Sequence, residues 1–560
     1  MPPKEEKPLT TGQKFKLFFA VHWRGVLSIV IPIVSAIVLL VPYPPMGEQW
    51  CAYTLVVMAI FWVTEAIPLA VTSFLPMLIF PLCGLSTTAE VAKSYFNDTT
   101  LMFLGSLILA YSVEQSGLHR RLALNIIRIV GYTHVRLLFA MTMTTWFVSF
   151  WITNTAATTM MVPINFAVLE VFEKKNIMKI FDTDITGEQF ATPITVCYFC
   201  AATFSATIGG IGTLVGTGTN LAFKGLFITN YPNAPDYLSF PLFSAFSVPY
   251  CLVLQLLLYA SMVLMFLGKF RPNSKAAKRA VVTPELTQEV KKAIRVEIKK
   301  IGRMTYWELN VAIIFSSGMA GFFLRSPQIM TGWGDKIADD YNLADKKFIR
   351  DSAWAYLVAL IFLVLPAKLE VIKKLFVKSK DSVTRYPQRS LLDWNITERN
   401  MPFSFTFLLG GGFAFADGAK KGLTDQIGTF LSGMRTFPNS IVQLCLIVFT
   451  IFLTNFASNV AVANVVCPIA MSLAEKIGQN PLRFNMICGV SASYCFMLPV
   501  GTPGNLIVQS AAKIGTMDMI KAGALPTLLT IIVTWLAFMF WAPVIFPVYY
   551  EANSPWITNT

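Results

Sequence analysis

The chain has 560 residues, of which 55% are hydrophobic and only 14% charged, with a mean hydropathy of +0.58. That is too little polar surface to cover a soluble globule, and the apolar residues form long runs rather than the short alternating strands of a membrane barrel. The net charge of +14 does not indicate nucleic acid, because the basic residues sit outside the apolar runs and are not interleaved with aromatics; they are placed as loop charges that orient a membrane chain.

A helix crosses a hydrocarbon core in about 17 to 25 residues. Residues 1–25 are polar and lysine-bearing, without the short apolar segment and cleavage site of a removable leader, and read as a cytoplasmic N-terminus. Helices near 26–43, 50–66, 68–83 and 99–117 then return the chain to the cytoplasm at His119-Arg120-Arg121. On this threading Asn97-Asp98-Thr99 is an outside-facing glycosylation sequon, and Glu65 is exposed at the cytoplasmic interface. The segment 137–171 starts beside Arg136 and ends beside Lys174-Lys175. It therefore enters and leaves on one side, as a re-entrant hairpin with its apex at Thr153-Asn154-Thr155.

The helix over 192–226 is interrupted by Gly209-Gly210, Gly212, Gly216 and Gly218, and the helix over 241–268 leads into a basic cytoplasmic linker, 269–306. Helices near 308–324 and 351–366 go out and back to Lys373-Lys374, and 403–418 goes out again. A second hairpin, 440–475, therefore enters from the opposite face with Ser458-Asn459-Val460 at its apex. The helix over 484–513 is interrupted at Gly501 to Gly504, and 524–548 leaves residues 549–560 outside. The expectation is an all-α polytopic membrane protein of eleven transmembrane helices and two re-entrant hairpins, with a first repeat over 26–268 and an inverted second repeat over 307–548.

Two phrases recur once in each half. Ile152-Thr153-Asn154-Thr155-Ala156 runs on to Val162-Pro163-Ile164, and Ala457-Ser458-Asn459-Val460-Ala461 runs on to Cys467-Pro468-Ile469. Val215-Gly216-Thr217-Gly218-Thr219-Asn220-Leu221 follows the first, and Val500-Gly501-Thr502-Pro503-Gly504-Asn505-Leu506 follows the second. Irregular backbone at membrane depth is tolerated only where protein or a water-filled cavity surrounds it. Helix N-termini at such breaks suit an anion, while unwound carbonyls and the side-chain oxygens of Asn154 and Asn459 suit a small hard cation. Thr155, Thr217 and Thr502 add hydroxyl donors. Small residues also simply let helices approach, but the duplication of both phrases in the same order favours a binding site.

Other polar features read as structural. Gly410-Gly411-Gly412 and Gly210-Ile211-Gly212 lack the remaining residues of nucleotide-binding loops and are assigned to packing. Cys197 and Cys200 have no partnering pair, and the nine cysteines show no disulfide or metal spacing. His22, His119 and His134 are placed at headgroup level. Hydrolase and metalloprotease signatures are missing from the sequence, so an enzyme is not expected and neither is a cofactor; an anion channel is the remote alternative.

Ser493 to Val508, with Pro499-Val500-Gly501-Thr502-Pro503-Gly504-Asn505-Leu506 at its centre, and the paired Asn-bearing hairpin tips resemble the signatures of the divalent anion/sodium symporter family. That family comprises sodium-coupled di- and tricarboxylate transporters, including the I'm-not-dead-yet proteins. The resemblance implies a homodimer in the plasma membrane, in which a transport domain holding both hairpins and both broken helices moves as an elevator against a scaffold domain. It implies citrate, succinate, malate or fumarate as substrate, held by Asn154, Thr155, Thr217, Asn459, Val460, Thr502 and Pro503. It further implies one Na+ site from Ser149, Thr153, Asn154 and Gly216, and another from Thr454, Ala457, Asn459 and Gly501.

The chain departs from the family pattern at Thr153, where serine is usual, and at Val460, where a threonine hydroxyl is lost. Members divide into sodium symporters and sodium-independent exchangers of dicarboxylates. The oxygen ligands favour symport, with exchange, or protons as the coupling ion, as the alternative. Lys224 is the one cation near the motifs; a snorkelling headgroup role is expected for it, rather than replacement of a sodium ion.

Overall fold

The computed structural model describes residues 11–40, 47–130, 133–174, 178–183, 188–268, 284–343, 348–368, 388–422, 436–546 and 554–558. The first ten residues, linker residues 269–283, the Lys373-Lys374 cluster and tail residues 549–553, 559 and 560 lie outside them.

The first half contains α1 (Thr11–Ser35), α2 (Gly47–Thr64), α3 (Leu69–Thr72), α4 (Leu75–Leu82), α5 (Thr88–Tyr95), α6 (Asp98–Ser116), α7 (Leu118–Val130), α8 (His134–Val148), α9 (Asn154–Lys174), α10 (Pro193–Gly210), α11 (Gly218–Asn230) and α12 (Phe240–Met262). The second contains α13 (Pro284–Ile301), α14 (Tyr306–Arg325), α15 (Trp333–Asp340), α16 (Asp351–Val364), α17 (Trp394–Asn400), α18 (Ser404–Gly422), α19 (Asn439–Phe456), α20 (Asn459–Lys476), α21 (Pro481–Ser491), α22 (Pro503–Ala512) and α23 (Thr516–Leu536).

Several helix starts follow local chemistry. Reciprocal capping boxes pair Thr87 with Glu90 at α5, Asn97 with Thr100 at α6 and Thr305 with Glu308 at α14, each satisfying amides that the first turn leaves open. Asn97 thus spends its side chain on the cap: Oδ1 accepts from the Thr100 amide at 2.9 Å and Nδ2 donates to the Ser94 carbonyl at 3.1 Å. The sequon asparagine is engaged by the fold.

Among the described residues, seven helices are long and apolar enough to cross a membrane, or eight if the pair Thr88–Ser116 and Leu118–Ile129, bent by 64°, counts as one span. The chain is an integral membrane protein with several crossings. The expected eleven includes segments that are not single long helices: 192–226 and 484–513 are each two helices, and 68–83 is split into α3 and α4. The all-α expectation also needs correcting, because β1 (Phe181–Thr183) pairs antiparallel with β2 (Gln189–Ala191) between the first hairpin and the first broken helix. Three-residue strands are too short to leave an alternating pattern in the sequence. α1 runs from Thr11 but is kinked at His22, where the backbone leaves helical geometry, so its second part begins close to the expected 26; α23 begins at Thr516 rather than near 524, because polar residues extend it beyond its apolar core.

Glycine allows close approach between helices. A Cβ on Gly410, Gly411 or Gly412 would meet Tyr95, Ser73 and Asn464 respectively, so this run seats α18 against three different neighbours, as packing predicts. α6, α14 and α16 pack on one another, while α8 to α12 group with α19 to α23 through mutual contacts. Within the second group the halves interleave reciprocally. α9, the return arm of the first hairpin, packs on α22, and α20, the return arm of the second, packs on α11.

Candidate functional site

That reciprocal packing brings four helix starts together. α9 begins at Asn154, α11 at Gly218, α20 at Asn459 and α22 at Pro503, and their first residues line one cavity of about 410 Å³. Thr153, Asn154, Thr155 and Ala156 from one tip face Ser458, Asn459 and Val460 from the other, with Val215 to Thr219 and Gly501 to Gly504 between them. The first amides of each helix have no intrahelical acceptor and carry a partial positive charge. Among the described wall residues there is no lysine or arginine, so an anion here would meet backbone dipoles, amides and hydroxyls.

Each tip is held by the same device. The Ser149 hydroxyl lies 2.9 Å from Asn154 Oδ1 and 2.7 Å from the Ala206 carbonyl oxygen. The Thr454 hydroxyl lies 2.8 Å from Asn459 Oδ1 and 2.5 Å from the Ala492 carbonyl oxygen. A hydroxyl has one proton to donate, so each cluster holds one more oxygen acceptor than it has donors. A surplus of amide, hydroxyl and carbonyl oxygens fits a small hard cation.

Gly216 and Gly501 close these clusters in equivalent ways. A Cβ on Gly216 would lie 2.5 Å from the Gly210 carbonyl oxygen and 3.0 Å from that of Ser149, while one on Gly501 would meet the Cys495 sulfur first and lie 2.5 Å from the Thr454 carbonyl oxygen. Ser149, Asn154 and Gly216 are therefore together, as are Thr454, Asn459 and Gly501, with Ala457 buried at the end of α19. The Thr153 hydroxyl accepts from the Ala156 amide at 3.3 Å and caps α9.

The seven residues expected around a substrate, Asn154, Thr155, Thr217, Asn459, Val460, Thr502 and Pro503, all line the cavity. Thr502 caps α22, and Pro503 occupies its first position, where the missing N–H costs no helical bond. Val460 brings methyl groups to the second tip where Thr155 brings a hydroxyl to the first.

The geometry moves some boundaries. The first turn occupies residues 149–153 and Asn154 already belongs to α9, whereas the second is only Ala457 and Ser458. The second break spans 492–502, not 501–504. Asn505 holds it open: Nδ2 donates to the Cys495 and Leu498 carbonyls, each at 3.0 Å, and Oδ1 accepts from Thr203 at 3.0 Å. Asn220 does the same for the first break, donating to the Gly210 and Thr213 carbonyls at 3.1 and 2.7 Å. These two side chains replace bonds that an unbroken helix would make. Their signal in the sequence is their matching place in both repeated phrases.

Two expectations are overturned. Lys224 does not snorkel: it is 7% exposed, and its Nζ lies 3.1 Å from Asp351 Oδ2 at the start of α16. Arg325 completes the network, with Nε 2.5 Å from Asp351 Oδ1 and Nη2 2.8 Å from Asp236. Lys224 is drawn inward because α11 is covered by α6 and α18 and its charge has an acid partner there. His134 is likewise not at headgroup level but 1% exposed, stacked on Phe172 with centroids 4.2 Å apart and Nδ1 3.0 Å from the Tyr198 hydroxyl. Cys197 and Cys200 are fully buried in α10, in keeping with packing.

Comparison with known proteins gives a family match, relatives and a similar fold. Residues 20–548 match the family model described as the sodium:sulfate symporter transmembrane region. The chain is 38% identical over 543 residues to Protein I'm not dead yet of Drosophila melanogaster, covering 95% of this chain and 90% of that one. It is 31% identical over 571 residues to the Na(+)/citrate cotransporter of Rattus norvegicus, covering 95% and 96%. Among solved structures, the YdaH transporter of Alcanivorax borkumensis has a similar fold, with a TM-score of 0.52 at 14% identity over 91% of this chain and 99% of that one.

Proposed function

Because this chain belongs to the divalent anion/sodium symporter family, we propose that it moves citrate and C4 dicarboxylates across a membrane in symport with sodium. The observation that carries this reading is the wall of the cavity: four helix N-termini, two asparagine tips and hydroxyls, with no lysine or arginine among the described wall residues. A di- or trianion gains from the open amides but loses its hydration, and without fixed cations it needs mobile ones to offset that cost. The oxygen clusters around Ser149 and Thr454 lie directly behind the tips, where such ions would neutralise the substrate charge. The carboxylates would rest on Asn154, Thr155, Thr217, Asn459, Thr502 and Pro503, with Val460 giving the second side no hydroxyl.

The same reading includes eleven spans in two inverted repeats, 26–268 and 307–548, joined by the linker 269–306. It also includes a homodimer in the plasma membrane with the N-terminus cytoplasmic and the C-terminus outside. The group containing both hairpins and both broken helices would travel as an elevator against α6, α14, α16 and α18.

The test is uptake of labelled citrate and succinate into liposomes containing the purified protein. Saturable uptake is expected, abolished in Asn154→Ala and Asn459→Ala while the protein still inserts; normal uptake by both variants would refute the site. Replacing sodium by choline should stop uptake. Uptake that persists in choline and rises with internal dicarboxylate would make the protein an exchanger.

A further inference from the structure

We propose that Glu114 is a charge filter at one mouth of the substrate cavity, favouring carboxylates of lower charge; this rests on the carboxylate-transport reading above. α6 contributes a single stripe to the cavity wall, Phe103, Ser106, Leu107, Tyr111 and Glu114, whose spacing of three or four residues defines one helix face. Phe103 marks the deep end, its ring 3.0 Å from where a Cβ on Gly218 would stand. At 1.5 Å of rise per residue, Glu114 lies about 16 Å farther along the helix axis. It is exposed there, so the stripe runs from the binding tips to an open end.

Glu114 is the only charged side chain among the described wall residues. Its polar neighbours on α6 are engaged by the α17 region. The Tyr111 hydroxyl donates to the Asn400 carbonyl at 2.7 Å, and Gln115 joins the Thr397 hydroxyl at 3.0 Å and the Asp393 amide at 3.1 Å. No hydrogen bond or ion pair to another described residue engages the Glu114 carboxylate, and Arg399, beside Asn400, is not part of the wall. An acid in the last turn of a helix also faces the negative end of the helix dipole. Its position is therefore unfavourable for the fold and repulsive to an anion. A selective role accounts for both.

Repulsion grows with the charge of the passing ligand. For closest approaches of about 5 to 8 Å in a water-filled mouth, each ligand charge alters the rate of entry about two- to fourfold at low ionic strength. A trianion carries one charge more than a dianion, so the carboxylate shifts the citrate-to-succinate preference by that single factor.

Initial uptake of citrate and succinate is measured at a pH where citrate is fully ionised, with sodium fixed and ionic strength set by choline chloride. In E114Q the ratio of kcat/KM for citrate to that for succinate should rise about two- to fourfold at low ionic strength and converge with wild type at high ionic strength, while E114D keeps the wild-type ratio. The unaltered protein supplies a second measurement: raising ionic strength should help citrate more than succinate. An unchanged ratio in an active E114Q, equal loss of both substrates in E114Q and E114D, or the same salt response for both substrates would overturn the proposal. Failure of the wild type to take up either substrate would instead sink the transport reading.

Discussion

Replacing Asp351 with asparagine should destabilise the protein more than replacing Lys224 with methionine, and adding the second change to the first should restore part of the loss. Asp351 touches two cations, Lys224 at 3.1 Å and Arg325 at 2.5 Å, with all three side chains less than a tenth exposed. In K224M the acid keeps Arg325, and only one charge-assisted bond is lost, worth about 1.5–3 kcal/mol. In D351N, Arg325 keeps Asp236 at 2.8 Å and the Ile349 carbonyl at 3.0 Å, but Lys224 is left as a buried ammonium without its acid, a cost of about 3–5 kcal/mol. The double variant strands no ammonium, so the pair should show a coupling of about 1–3 kcal/mol. Thermal melts of the four proteins in detergent, followed by tryptophan fluorescence, test the order: wild type, K224M, the double variant, then D351N. A double variant that melts below D351N by the full K224M decrement would refute the network. K224M should also retain most of its uptake, since its charge is occupied by Asp351 and is not the counter-ion of the substrate.

Gly216→Ala and Gly501→Ala should each raise the sodium concentration needed for half-maximal uptake and cost about 1–3 kcal/mol by overpacking, because the added methyl collides with the backbone that closes the oxygen clusters and, at Gly501, also with the Cys495 side chain. Gly25→Ala, with nothing within 4 Å of the new methyl, is the control that should leave both unchanged. Val460→Thr restores a hydroxyl donor to the second tip, and one added hydrogen bond of about 0.5–1.5 kcal/mol should lower the KM for succinate about two- to tenfold. No change in KM would mean that the second tip does not touch the carboxylate.

Much of the site was legible before any coordinates because its residues are chemically conspicuous. Asparagine, glycine and threonine within apolar spans are costly unless they serve a break, and their repetition in two ordered phrases marked both tips and both breaks. Charge placement beside the first hairpin was the reason to expect that it returns to its side of entry, and the second was placed from the direction of the span before it. The limits of the breaks were less legible. Alanine, serine, tyrosine and cysteine at 492–495 are compatible with helix, and it is Asn505, bonding back to the Cys495 and Leu498 carbonyls, that keeps the chain unwound there.

The sequence by itself determined a membrane chain with two polar phrases in each half, and the chemistry those phrases can offer. The tertiary structure alone decided that α9 packs on α22 and α20 on α11, which turns four separate helix starts into one cavity. It also turned Lys224 and His134 inward, against an acid and an aromatic ring that lie far away along the chain. The reason is physical: the cost of a polar group in a span is local and can be read from composition, whereas its partner is supplied by whichever distant helix packs beside it.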